Sequence, residues 1–170
     1  MPSLVGAEMC IRDSFGSLDL HDADFTQANL QNALFSNSNL QNAKFHAVKG
    51  RMALFTDANL QAVGARLGDF ENCNFENSNL SDSDLSSASL YGAVMRNTDL
   101  RKCNFSNADL RKCDLRNADL RGANLSGADL AGANLQGAQI DNIRASRSRI
   151  TNTIGLSPEQ KEQLFSAGAY

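Results

Sequence analysis

The chain repeats every five residues. Leu or Phe stands at Leu20, Phe25, Leu30, Phe35, Leu40 and Phe45, and the same phase runs on from Phe70 to Ile140. Of the 25 multiples of five between 20 and 140, only Gly50 and Ala65 are not Leu, Phe, Met or Ile. Two residues before each centre sits a small one: all 24 such positions from Ala23 to Ala138 are Ala, Ser, Thr, Cys, Val or Gly. A period kept this long marks a solenoid, whose repeats bury their apolar faces against one another. A five-residue step turns an α-helix by about 140° and would scatter the centres around it. A plain strand alternates with period two, so each new centre would change face. The conflict disappears if the chain turns a corner every five residues. Each repeat is then one short side of a coil, its small residue and its centre inward, its other three residues at the surface or in the corner.

Sorting the centres by residue number modulo twenty gives the number of sides. One class is Leu20, Leu40, Leu60, Leu80, Leu100, Leu120 and Ile140, with no ring; another is Phe15, Phe35, Phe55, Phe75, Met95, Leu115 and Leu135. Rings stacking on rings at equivalent positions predict a four-sided coil of twenty residues. Six such coils would stand roughly 29 Å tall at the usual strand spacing. The weak centres Gly50 and Ala65, with Gly64 beside them, predict a loosened or bulged stretch that keeps its spacing.

The motifs Ala28-Asn29-Leu30, Ala108-Asp109-Leu110, Ala118-Asp119-Leu120, Ala128-Asp129-Leu130 and Ala133-Asn134-Leu135 resemble the A(D/N)LXX signature of pentapeptide-repeat proteins. The resemblance covers roughly three quarters of the chain and implies an all-β solenoid, a right-handed quadrilateral parallel β-helix. The organisation expected is a leader at 1–17, a β-helix at 18–150 and a C-terminal capping segment at 151–170. The leader breaks the repeat. It has neither the basic start nor the apolar run of a signal peptide. Its string LVGAEMCIRDS resembles peptides that arise from accidental translation of sequencing-adapter reads. Two origins stay open, a native leader or such a peptide. With the second, the native N-terminus and any targeting signal lie elsewhere, which leaves the cytoplasm as a default location. No apolar run approaches the ~20 residues that span a bilayer. At the other end, Ser157-Pro158-Glu159-Gln160 has the form of a capping box with Pro at the first helical position. It predicts a short helix over about 158–167, with Leu156, Leu164 and Phe165 covering the open end of the column or meeting a second copy.

No catalytic constellation emerges, and no cofactor or metal is expected. Cys73, Cys103 and Cys113 occupy inward small positions, where a free Cys acts as a small hydrophobe. His21 and His46 point outward with no nucleophile or ligand pattern beside them. Asp84, Asp99, Asp109, Asp119 and Asp129 alternate at their repeat position with Asn79, Asn104 and Asn124. Asn does not titrate, so the position is structural rather than acid–base.

The surface carries the remaining information. Net charge is −3. Residues 1–95 hold 5 Lys/Arg against 11 Asp/Glu, and residues 96–170 hold 11 against 8. Arg96, Arg101, Arg111, Arg116 and Arg121 form a basic group relieved by neighbouring acids, either a salt-laced surface or a patch for an anionic partner. Nucleic acid is disfavoured because no aromatic residues interleave the cations. Leu34, Leu54 and Val94 occupy one outward column, with Met52 outward beside it, and a contiguous patch there would be an interface for a protein partner or a homodimer. A solenoid without chemistry is a protein-interaction or scaffold module. The resemblance also implies an alternative, a DNA-mimicking binder of the type II topoisomerase gyrase, as in fluoroquinolone-resistance members. The mixed charge of this chain argues against it.

Overall fold

The structure is a computed structural model describing residues 3–7 and 14–170. From Ser14↔Leu34 to Asn134↔Ile154, every bridge is parallel and joins residues twenty apart. Each side of the coil contributes one bridging residue and then turns, which gives four sides per coil. The pairing carries about seven coils rather than six, roughly 34 Å at strand spacing. It begins before residue 18 and runs past residue 150. Ser3 pairs with Asp24, an offset one residue longer, so Ser3–Ala7 also lies against the column. The rest of the leader, 8–13, lies outside the described residues.

Where the bridging residue is Asn or Asp, every backbone N–H of a repeat finds a partner, as Ser78 to Asp82 illustrates. The Ser78 N–H donates to Phe75 O across the turn at 3.1 Å. Those of Asn79, Leu80 and Asp82 donate to Ala58, Asp99 and Arg101 in the adjoining coils, at 3.0, 2.8 and 2.9 Å. The fifth, on Ser81, donates to the Asn79 side chain at 3.0 Å. A buried or half-buried backbone needs this complete pairing. The bridging Asn or Asp therefore closes a local turn with its side-chain oxygen. Both residues have that oxygen, which explains why they interchange.

The corner imposes the second rule. The second residue after each centre has a positive φ, from Ser17 at 59° to Asn152 at 57°, while the first does not. This is the type II pattern, which favours Gly or Asn. Gly92, Gly122, Gly127, Gly132 and Gly137 stand there, as do Asn32, Asn72, Asn97 and Asn107.

The centres from Leu20 to Ile150 are buried. Phe15, Phe35, Phe55 and Phe75 stack coil on coil, with centroids 4.8 to 5.0 Å apart. Phe25 on Phe45 repeats the arrangement at 5.0 Å, and rings on opposite sides of the coil meet edge to face across its interior. The stretch around Gly50 and Ala65 does not loosen. The Phe70 ring fills the vacated volume, edge-on to Phe45, Phe55 and Phe75 at 6.4, 6.4 and 5.9 Å. Gly68 is glycine for the same reason, since a Cβ there would overlap the Phe70 ring.

The C-terminal helix α1, Pro158–Ser166, starts with the expected capping box on Ser157 and Gln160. The cover it makes differs from expectation. Leu156 and Leu164 are buried, but Phe165 is 55% exposed. Two glutamines complete the cap: the Gln160 amide donates to Ala138 O at 3.0 Å and the Gln163 amide to Ile140 O at 2.9 Å. The tail adds a partial side of its own through the Arg147 N–H to Gly168 O at 2.8 Å and the Ile150 N–H to Tyr170 O at 2.9 Å. The open edge of the last coil is thus paired along part of its length and covered by the helix elsewhere.

Candidate functional site

The five arginines expected to form a basic group lie on the corners from 96 to 121, interrupted only by Ser106, and four are held the same way. Arg101, Arg111, Arg116 and Arg121 each fold back on the Asp two residues earlier, their Nε on one carboxylate oxygen and Nη2 on the other. The Nη2 contacts are 2.6, 2.6, 2.7 and 2.6 Å. The same Asp also accepts the backbone N–H of its Arg. A bridging Asp, a central Leu and a corner Arg thus make a planar two-point pair within one repeat. Arg96 is the exception. Val94 occupies the place of its Asp, so Arg96 sits between Glu76 and Asp114 at 3.4 and 3.5 Å. Among the described residues, its Nε is a buried side-chain polar atom without a hydrogen bond. Lys112 and Arg111 approach the Tyr91 ring, each 5.4 Å from its centroid. A groove of about 430 Å³ runs along the corner of Arg101, Lys102 and Arg121.

These pairs hold the carboxyls of Asp99, Asp109, Asp114 and Asp119 below their ordinary 3.8, chiefly through the side-chain hydrogen bond to the paired Arg and against the opposing pull of burial. The unfolded chain then binds these protons at higher pH than the folded chain. The stabilisation is fully present above about pH 4 and is lost as pH falls below it. The expected melting temperature is flat from about pH 7 to 5 and falls below about pH 4. Arg101→Gln with Arg121→Gln should flatten part of that fall. Calorimetry across pH checks it, and a fall unchanged in the double variant would assign the dependence to other groups.

The expected apolar column is present, with Leu34 bridged to Leu54, then Asn74, then Val94. Leu54 is 38% and Met52 51% exposed, while Leu34 and Val94 are half-buried. Leu67, 57% exposed, stands at another corner nearby. Two features of this stretch were not foreseen from the sequence. Met52 and Leu67 hold the positive-φ corner, at 58° and 59°, where a bulky side chain is strained. Leu34, Leu54, Lys44, Lys49 and Gly64 occupy the bridging position without an oxygen to accept the corner N–H. Between residues 34 and 64 five of the seven bridging positions lack that oxygen, Asn39 and Asn59 keeping it, whereas from Asp69 to Asn134 only Val94 lacks one.

Cys73, Cys103 and Cys113 are not placed as reactive groups. The thiols of Cys73, Cys103 and Cys113 are buried and donate to Gly50, Leu80 and Leu90 carbonyls at 2.9, 2.8 and 3.0 Å. Burial pushes all three thiols well above their ordinary range, which suppresses the thiolate. Among the described residues, no group of three or more His, Cys, Asp or Glu could hold a metal ion. Among them, no helix is long and apolar enough to cross a membrane.

The fold is similar to that of two solved proteins. One is HetL, a pentapeptide repeat protein involved in heterocyst differentiation regulation from the cyanobacterium Nostoc sp. strain PCC 7120. It is 23% identical over 90% of this chain and 82% of its own, with a TM-score of 0.50. The other is a trypsin-treated form of QnrB1, a plasmid-mediated fluoroquinolone resistance protein, 20% identical over 96% of this chain and 93% of its own, with a TM-score of 0.51. Among curated proteins, no sequence matches the chain. Residues 68–144 match the family profile described as a pentapeptide repeat region. Residues 19–49 match that of pentapeptide repeats in eight copies. The chain belongs to the pentapeptide-repeat family.

Proposed function

We propose that this chain is a non-enzymatic interaction module that docks a protein partner through the surface around Leu34, Met52, Leu54 and Leu67. The carrying observation is the clustering of broken rules there. Large apolar residues are exposed at positions that elsewhere in the coil are mostly polar, charged or Gly, and two of them occupy strained corners. Leu34 and Leu54 also give up a hydrogen bond that Asn or Asp supplies elsewhere. Departures of this kind that cost stability concentrate at functional surfaces. The likeness to HetL and QnrB1 supports a right-handed quadrilateral winding, which places Leu34 and Leu54 on one flat side.

The gyrase reading has less support. A DNA mimic needs an acidic run comparable to one charge per ~1.7 Å of duplex axis. Here Asp99, Asp109, Asp114 and Asp119 are neutralised by their own arginines.

The test separates stability from binding. Leu34→Asn with Leu54→Asn restores both corner hydrogen bonds and should raise stability by about 0.5–1.5 kcal/mol per site. The same double variant should lose the partners that the parent captures from lysate of its source organism. A variant that gained stability and captured the same proteins would move the interface elsewhere.

A further inference from the structure

The charge of the N-terminal half is not spread evenly. Residues 1–40 hold one basic residue against five acids, and residues 68–95 hold five acids and no Lys or Arg. Between them, residues 41–67 hold Lys44, Lys49, Arg51 and Arg66 against Asp57 alone. Arg51 is engaged by Asp69 and Glu71 at 2.6 and 3.1 Å. The other three are loosely held. Lys44 and Arg66 reach acids of the adjoining coils only at 3.7 and 3.9 Å, and both are about two-thirds exposed. Lys49 is exposed and makes no ion pair among the described residues. Lys49 bridges Asn29 on one side of the coil and Asp69 on the other. The side it lies on ends at the corner of Met52, and Leu67 stands at the opposite corner one coil on.

We infer that the coil of residues 41–67 is a cationic and apolar belt that receives an extended acidic peptide bearing apolar residues, lying across the column. This rests on the proposal that the Met52–Leu54–Leu67 surface is an interface, and it names the chemistry of the partner. The belt is about one and a third coils high, roughly 6 Å at strand spacing. An extended chain occupies about 5 Å and matches that height, whereas a helix is ~10–12 Å across and would overlap the acidic coils. A lipid surface is broader still, so an anionic bilayer resting on Lys44, Lys49 and Arg66 would also meet the acids of residues 68–95. Lys44, Lys49 and Arg66 would pair with carboxylates of the peptide, and Met52, Leu54 and Leu67 would contact its apolar side chains. The combination gives charge-steered association with an apolar anchor.

The experiment pans a random dodecapeptide phage library against the full chain and labels the best-enriched peptide with fluorescein for anisotropy titration. The expected peptides are rich in Asp and Glu with interspersed apolar residues. Their binding should weaken with salt. It should fall at least about tenfold with Lys49→Glu plus Arg66→Glu, and again with Met52→Ser plus Leu54→Asn. These side chains are exposed, and circular dichroism melts verify that the variants fold. Enriched peptides that are neutral or basic, yet still lost with Met52→Ser plus Leu54→Asn, would overturn the acidic partner and leave the interface standing. Peptides indifferent to both pairs of changes would overturn both. No enrichment, or co-sedimentation of the parent with phosphatidylserine vesicles that Lys49→Glu plus Arg66→Glu abolishes, would overturn the peptide assignment.

Discussion

Leu80→Asp abolishes the fold: the expected result is an insoluble chain or one without a cooperative melt. Leu80 is 1% exposed and lies in a file of Leu that ends at Ile140, with Leu60 and Leu100 as its neighbours in the adjoining coils. An aspartate there loses a fully buried leucine and leaves a charge with no partner in a column one side chain wide. Total stabilities of about 5–15 kcal/mol cannot absorb such a change in most domains. The matching surface change is Ser87→Asp, an exposed corner residue with φ 57°, where Asp is tolerated. It should melt with the parent. Ser81, the apparent surface neighbour of Leu80, is not a silent site. It is only 6% exposed, and its hydroxyl donates to the Asn79 side chain at 2.7 Å. Equal loss from Leu80→Asp and Ser87→Asp would refute the inward and outward assignment.

The second large effect is a coupling. Gly68→Ala is expected to cost about 1–3 kcal/mol, because its new methyl group collides with the Phe70 ring. Phe70→Ala is expected to cost about 3–5 kcal/mol by emptying the space that Gly50 and Ala65 leave. The two should not add. Removing the ring removes the collision, so the double variant should be more stable than the sum of the singles by at least about 1 kcal/mol. Urea melts of the four proteins measure it, and strict additivity would mean that Phe70 does not hold Gly68 to glycine.

The register and the inward set were legible because a five-residue period leaves few geometries open. The stacking of Phe35 on Phe55 followed from counting by twenty. The corner rule was legible in principle. From Ser17 to Asn152 no Val, Ile or Thr stands at the second corner position, which is what a positive φ requires of β-branched residues. The fate of Gly50 was not legible. A missing centre shows lost volume, but which ring refills it depends on distances across the coil that spacing does not contain. The arginines were read as a basic group relieved by neighbouring acids, and the acids are there; what spacing did not show is that each of the four regular ones makes a two-point pair inside its own repeat. That pairing depends on a corner bending Arg101 back towards Asp99, and a linear sequence does not show the bend. The apolar surface was half legible: Leu54 and Met52 stood out as outward, but the strain at Met52 and the missing acceptor at Leu54 needed the backbone.

The constant offset of twenty between bridged residues separates two kinds of length change. Deleting one pentapeptide keeps every centre inward, because the core counts in fives. It also rotates everything beyond the deletion by a quarter turn, so that Leu54 would no longer face the same way as Leu34. Deleting twenty residues shortens the column and restores every side to its original direction. The interior therefore tolerates insertions and deletions in steps of five, while any surface that spans several coils tolerates them only in steps of twenty. In chains built this way, the lengths that descendants adopt record whether a long face is in use.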